Sequence, residues 1–192
     1  MLQRTSTLAA LLQGTDDRLI VTGLGSSAND VAHITDFAAR AFTMDGVMGA
    51  AASVGLGVAL ARPEREVLVV TGDGELLMNI GTLATIAMQN PTNLRLIVLD
   101  NGLWGLTGGQ ETATATVADL ETIARGSGIR RTMTVRSEDD LAAAQELIAT
   151  PGDTAMIVVK VAKGPAADVR IDRNGDRLRT RFRDHVLEGA GR

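Results

Sequence analysis

Four short apolar runs dominate the sequence: Leu19-Ile20-Val21, Val67-Leu68-Val69-Val70, Leu96-Ile97-Val98-Leu99 and Met156-Ile157-Val158-Val159. Each is rich in β-branched residues, and none alternates with polar ones. A strand with one face in water would alternate. These runs therefore read as strands buried on both faces, the habit of a parallel sheet covered by helices on each side. Thr132-Met133-Thr134-Val135 reads as a weaker strand. The stretches between have helical character. They are 28–39, with Asn29 or Asp30 as its cap; 50–61, apolar nearly all round and so expected to be buried; 76–89, stopped by Asn90-Pro91; 117–125; and 138–149. This alternation predicts an α/β domain, a parallel sheet with helices on both faces, over residues 1–164.

Composition narrows what such a domain can be. The chain has 192 residues, enough for one domain with a sizeable core. Only 2 % of residues are aromatic, so that core must be aliphatic. Cysteine is absent, which excludes disulfides, thiolate metal sites and a cysteine nucleophile. The net charge of -4 provides no general basic field for nucleic acid. No apolar run is long enough for a membrane span and the N-terminus does not read as a signal peptide, so a cytoplasmic location is expected. Residues 165–192 differ from the rest. From Arg170 to Arg192 there are seven arginines interspersed with four acidic residues. Leu178, Phe182, Val186 and Leu187 fall on one face of a short helix, so this basic arm is expected to dock on its own domain or on a neighbouring subunit.

In a parallel sheet, ligands collect beyond the carboxyl ends of the strands. Three strand ends lead into glycine with small polar residues: Thr22-Gly23-Leu24-Gly25-Ser26-Ser27, Thr71-Gly72-Asp73-Gly74-Glu75 and Asp100-Asn101-Gly102-Leu103-Trp104. Such loops let backbone N–H groups approach an anion, and phosphate is the natural one. The phosphate-binding G-x-x-x-x-G-K-[ST] pattern is absent, and Thr22-Gly23-Leu24-Gly25 is only part of a dinucleotide fingerprint. These loops hold almost no Lys or Arg. Asp73 and Asn101 are oxygen donors instead, and a hard divalent cation, Mg2+, would supply the counter-charge. Taken alone, either residue is also a common turn former.

Gly72-Asp73-Gly74, then 26 residues, then Asn101 resembles the cofactor motif of the thiamine diphosphate-dependent enzymes. The surrounding blocks extend the likeness: Gly55-Leu56-Gly57-Val58-Ala59-Leu60, Leu76-Leu77-Met78-Asn79-Ile80-Gly81 and Gly105-Leu106-Thr107-Gly108-Gly109-Gln110 are similar to the sulfopyruvate and phosphonopyruvate decarboxylases. The likeness runs from about Ile20 to Gly164. It implies that Asp73 and Asn101 ligate Mg2+ through side-chain oxygens and Leu103 through its carbonyl. Gly25, Ser26, Gly72, Gly74 and Glu75 would line the diphosphate. Met48 would wedge beneath the bent cofactor, and Gly46 would offer its carbonyl to the aminopyrimidine.

The same likeness implies decarboxylation of a small 2-oxo acid, sulfopyruvate before phosphonopyruvate, to an aldehyde and CO2. Related enzymes also need a glutamate from a pyrimidine-binding domain. Glu75 and Glu111 belong to the diphosphate-side loops and do not substitute for it. No catalytic residue is therefore assigned in this chain. An α subunit of similar length is expected to supply the glutamate, within a homodimer or higher assembly.

Three positions depart from the family pattern. Glu75 stands where serine is usual, and its charge would repel a diphosphate unless the side chain turns away, for instance to cap the following helix. Trp104 and Leu106 replace a tyrosine and a serine near the expected substrate. Two other readings are the β subunit of a 2-oxo acid oxidoreductase, disfavoured by the lack of iron–sulfur ligands, and a non-catalytic cofactor-binding protein.

Overall fold

The computed structural model describes residues 1–44 and 46–188. Residues 189–192 of the expected arm lie outside it. Six strands form one wholly parallel sheet in the order β2-β1-β3-β4-β8-β7. These are β1 (Leu19–Thr22), β2 (Ala41–Thr43), β3 (Val67–Gly72), β4 (Leu94–Asp100), β7 (Arg131–Val135) and β8 (Ala155–Lys160). A separate antiparallel hairpin pairs β5 (Leu103–Trp104) with β6 (Gln110–Glu111).

Helices cover both faces, and this is why the strand runs do not alternate. One face packs α3 (Ala51–Ala61), α5 (Thr82–Gln89), α6 (Leu120–Gly126) and α8 (Gly175–Glu188) onto Leu19, Val21, Val67, Val69, Leu96 and Val98. The other packs α1 (Arg4–Leu11), α2 (Ser26–Ile34) and α7 (Leu141–Ala149) onto Ile20, Leu68, Val70, Ile97 and Ile157. Successive side chains of one strand thus enter two different apolar cores. Gly55 permits a close approach on the first face: a Cβ there would lie 2.1 Å from Val69 Cγ2.

Several sequence expectations change. The stretch 76–89 is two helices, α4 (Asp73–Met78) and α5. Asn79 leaves the helix and its side-chain amide donates to the Gly49 carbonyl at 3.1 Å. The first helix ends at Ile34, because Asp36 and Phe37 adopt left-handed backbone with φ 49° and 56°. Its N-cap is Gly25, while Asp30 is buried and serves another purpose. Helix α3 is not buried all round: Ser53, Gly57 and Leu60 are exposed. The C-terminal helix docks by Leu178 and Phe182 against β2, with the Phe182 ring stacked on Phe42 at 5.3 Å, and Leu187 stays exposed. Among the described residues, no helix is long and apolar enough to cross a membrane.

Candidate cofactor site

Strand order decides where a cleft can open. From β1 the chain first turns outward to β2 and then returns across to β3, so the loops after β1 and β3 diverge. A cleft of about 330 Å³ lies there. Of the residues expected to bind the cofactor, Gly25, Ser26, Met48, Gly72, Asp73, Gly74, Glu75, Asn101 and Leu103 all line it. Gly46 does not; it sits in an exposed turn with φ 88°.

Asp73 begins α4 at the end of β3 and is 2 % exposed. Its Oδ2 accepts hydrogen bonds from Thr112 Oγ1 (2.6 Å) and Thr114 Oγ1 (3.0 Å). Both hydroxyls converge on one oxygen, which leaves Oδ1 available to a ligand. Burial raises the Asp73 pKa above the usual carboxylate range, and the neighbouring charge of Asp100 raises it further. Thr114 Oγ1 also lies 2.8 Å from Asp100 Oδ1, so its single proton serves one carboxylate or the other, and Lys160 pairs with the other oxygen of Asp100. The lysine thus neutralises Asp100, while among the described residues no lysine or arginine forms an ion pair with Asp73.

A buried carboxylate without a counter-ion is costly. A divalent cation at Oδ1 would relieve that cost, and this is the sense in which the residues fit a metal. The remaining donors are of the right hard-oxygen type. Asn101 at present turns its Oδ1 onto the Leu103 N–H at 3.0 Å, which holds the loop between β4 and β5 in a tight turn. Among the described residues no group of three acidic or histidine side chains could hold a metal. Any cation here therefore needs amide and carbonyl oxygens, and a ligand's own.

Glu75 points away from solvent. Its carboxylate accepts from Thr71 Oγ1 at 2.8 Å and occupies the space where a side chain on residue 23 would lie, 1.8 Å from an added Cβ. Gly23 is required for that reason. Burial raises the Glu75 pKa, against the lowering effect of the Thr71 hydroxyl and the backbone amides of Ala51, Gly49 and Gly72. Glu75 thus packs against Gly23 in the loop after β1 while bonding to Thr71 at the end of β3, and its Oε1 is buried with no hydrogen-bond partner among the described residues. Trp104 closes the opposite wall, its ring 2.7 Å from a Cβ added at Gly74. Thr107 and Gln110 bond to each other at 3.2 Å across the hairpin, and His33 is exposed.

Sequence reasoning missed three supports. Asp100 and Lys160 were not picked out, although Asp100 stands beside Asn101. Thr112 and Thr114, alternating with alanine in 112–116, signal a hydroxyl-rich edge only once the hairpin folds over Asp73. Residues 164–166 also line the cleft, far from any strand-end motif.

The profile of the thiamine pyrophosphate enzyme C-terminal TPP binding domain matches residues 23–159. The sulfopyruvate decarboxylase subunit beta of Methanocaldococcus jannaschii is 42 % identical over 114 residues, 59 % of this chain and 60 % of that one. The phosphonopyruvate decarboxylase of Streptomyces viridochromogenes is 44 % identical over 139 residues, 72 % of this chain and 34 % of that one. Its likeness thus spans 60 % of the first relative and about a third of the second. A solved structure from Mycobacterium smegmatis, assigned to the thiamin diphosphate-dependent enzymes, superposes with a TM-score of 0.67 at 23 % identity. It covers 85 % of this chain and 32 % of the other, and shows the shared fold. With most of its length inside that profile and its glycine loops gathered at one sheet switch point, the chain belongs to the thiamine pyrophosphate enzymes as their C-terminal TPP binding domain.

Proposed function

We propose that this chain is the diphosphate-binding β subunit of a thiamine diphosphate-dependent 2-oxo acid decarboxylase that converts sulfopyruvate to sulfoacetaldehyde and CO2. The observation that carries the reading is Asp73: a buried carboxylate with no cationic partner among the described residues, in a glycine-lined cleft at the sheet's switch point. Asp73, Asn101 and the Leu103 carbonyl would hold Mg2+. Backbone N–H groups of Gly25, Ser26, Gly72 and Gly74 would face the diphosphate. Met48 would support the cofactor from below, with Gly46 at the edge of the pyrimidine. When bound, thiamine diphosphate supplies an electron sink that lets CO2 leave a 2-oxo acid.

The chain's own residues bind, orient and exclude water. Met48, Trp104 and Leu106 form apolar walls around the cleft. Glu75 packs the loop after β1 against the end of β3, which holds Gly23 in place. Among the described residues, the ionisable side chains lining the cleft are Arg4, Asp73 and Glu75, and each already has hydrogen-bond partners, so a pyrimidine-domain α subunit of similar length is the proposed source of the missing glutamate. The exposed Val47, Leu60 and Met78 around α3 and α4 give that partner, and a second copy of this chain, apolar surface to cover. Magnesium, a cytoplasmic location and assembly as a heteromer belong to the same proposal, as does the division into a domain (1–164) and a docked basic arm (165–192). The named relatives also favour phosphonopyruvate as a second substrate.

The test is reconstitution. The chain alone is expected to be inactive, and mixing with a pyrimidine-domain partner should give turnover of sulfopyruvate above phosphonopyruvate and pyruvate. Robust decarboxylation by the chain alone would overturn the partner requirement, and preference for pyruvate would overturn the substrate.

A further inference from the structure

A second cleft adjoins the cofactor cleft, and the two share Gly25 and Leu106 as walls. Its far side is the irregular segment 164–173, which leaves β8, crosses the carboxyl end of the sheet and leads to α8. Residues 164–166 line the first cleft, while Asp168 to Arg173 and Arg177 line the second.

This segment is held by a buried device. Arg4 Nε donates to Asp30 Oδ2 at 2.6 Å, with the two side chains 5 % and 0 % exposed. The other Arg4 nitrogens donate to the Gly164 and Pro165 carbonyls at 3.2 and 2.8 Å. Asp30 Oδ1 accepts from the Ala167 N–H at 2.8 Å and from Thr5 Oγ1 at 3.0 Å. A buried ion pair contributes little net stability but imposes geometry. Here the geometry imposed is the seating of 164–167 across the cleft mouth.

The charges follow from that seating. The cofactor cleft is poor in cations: Arg4 is committed to Asp30, and Asp73 and Glu75 add negative charge. Next door, Arg170, Arg173 and Arg177 line the cleft together with Asp168 and Asp172. Arg177 is engaged with Asp172 at 3.1 Å, whereas Arg170 is exposed and its guanidinium has no hydrogen bond or ion pair with the described residues.

We infer that the second cleft is the subsite for the strongly acidic group of the substrate, a tetrahedral –XO3 anion on a short 2-oxo acid, with Arg170 as its main donor and Arg177 as a second. The inference rests on the reading of the chain as a decarboxylase subunit, and deepens it by naming what selects the substrate. A guanidinium offers two parallel N–H donors to such an anion, and a carboxylate substrate without the extra group leaves them unused.

The experiment uses the full chain and three probes: sulfoacetate, phosphonoacetate and acetate. Binding is read by NMR from backbone and arginine Nε–H resonances. Sulfoacetate or phosphonoacetate should bind about tenfold more tightly than acetate and shift the Arg170 signal. Whichever of the two binds more tightly names the head group. Arg170→Gln should weaken that binding about tenfold, and Arg125→Gln, remote on α6, should leave it unchanged. Equal binding of acetate, or equal effects of the two substitutions, would overturn the subsite. Arg170 makes no bond that the fold needs, and a thermal melt matching wild type verifies this. Titration of the same samples with thiamine diphosphate and Mg2+ separates the two claims. Absence of cofactor binding sinks the decarboxylase reading, while lost selectivity for –XO3 with cofactor binding intact sinks the subsite alone.

Discussion

Replacing Arg4 by methionine isolates the buried pair that seats the 164–167 segment. Methionine fills similar volume and carries no charge, so the change leaves Asp30 buried with only Thr5 Oγ1 and the Ala167 N–H as donors. Two carbonyls, at Gly164 and Pro165, lose their donors as well. Removing one partner of a buried pair costs about 3–5 kcal/mol, because the surviving charge keeps its desolvation penalty. For a domain of this size each kcal/mol moves the melting temperature by about 2–4 °C, so a fall of roughly 6–20 °C is expected. Urea titration gives the free energy, and limited trypsinolysis reports the segment, which contains Arg170 and Arg173 and should be cut earlier. The Arg4→Met/Asp30→Leu double variant should recover part of the loss, since it leaves no orphan charge. A loss below about 1 kcal/mol with unchanged proteolysis would refute the reasoning, since the charge would then be solvated on opening.

Three further outcomes follow from the packing and the charges. The apo protein with Asp73→Asn should be more stable than wild type at neutral pH. The folded pKa of Asp73 is raised, so its charge costs stability above that pKa; the advantage should vanish on acidification, as wild type takes up the proton, and denaturation across pH checks it. Gly55→Ala should destabilise by about 1–3 kcal/mol because its Cβ meets Val69, whereas Gly57→Ala on the same helix, with open space, should stabilise by about 0.5–1 kcal/mol; urea midpoints decide. Phe182→Ala should cost about 3 kcal/mol and free α8 from Phe42, visible as faster amide exchange along Gly175–Glu188.

The sheet was legible because burial on both faces forces continuous apolar runs, which survive in the sequence whatever their partners. The three-residue edge strand β2 was not, being too short for a run. Helix α1 was missed for a related reason: its buried residues include Arg4 and Thr7, so polarity hid its inner face. The Asn79 break needed a tertiary bond to Gly49 that no local pattern announces. In the site, glycine and carboxylate positions at strand ends were readable, since backbone geometry demands them there. The supports were not. Thr112, Thr114 and Lys160 reach Asp73 and Asp100 only through contacts 14 to 60 residues apart in sequence. The role of Asp30, expected as a helix cap, depends on an arginine 26 positions away.

We propose that Asp73 would help to hold Mg2+ where thiamine diphosphate binds. Calorimetry of the full chain with thiamine diphosphate, in the presence and absence of Mg2+, tests it directly, with Asp73→Ala alongside. Wild type is expected to bind saturably and only with Mg2+, more weakly as falling pH protonates Asp73, whose pKa burial raises, and Asp73→Ala is expected to show no measurable binding. Binding of equal strength by the two proteins, or binding indifferent to Mg2+, would contradict it.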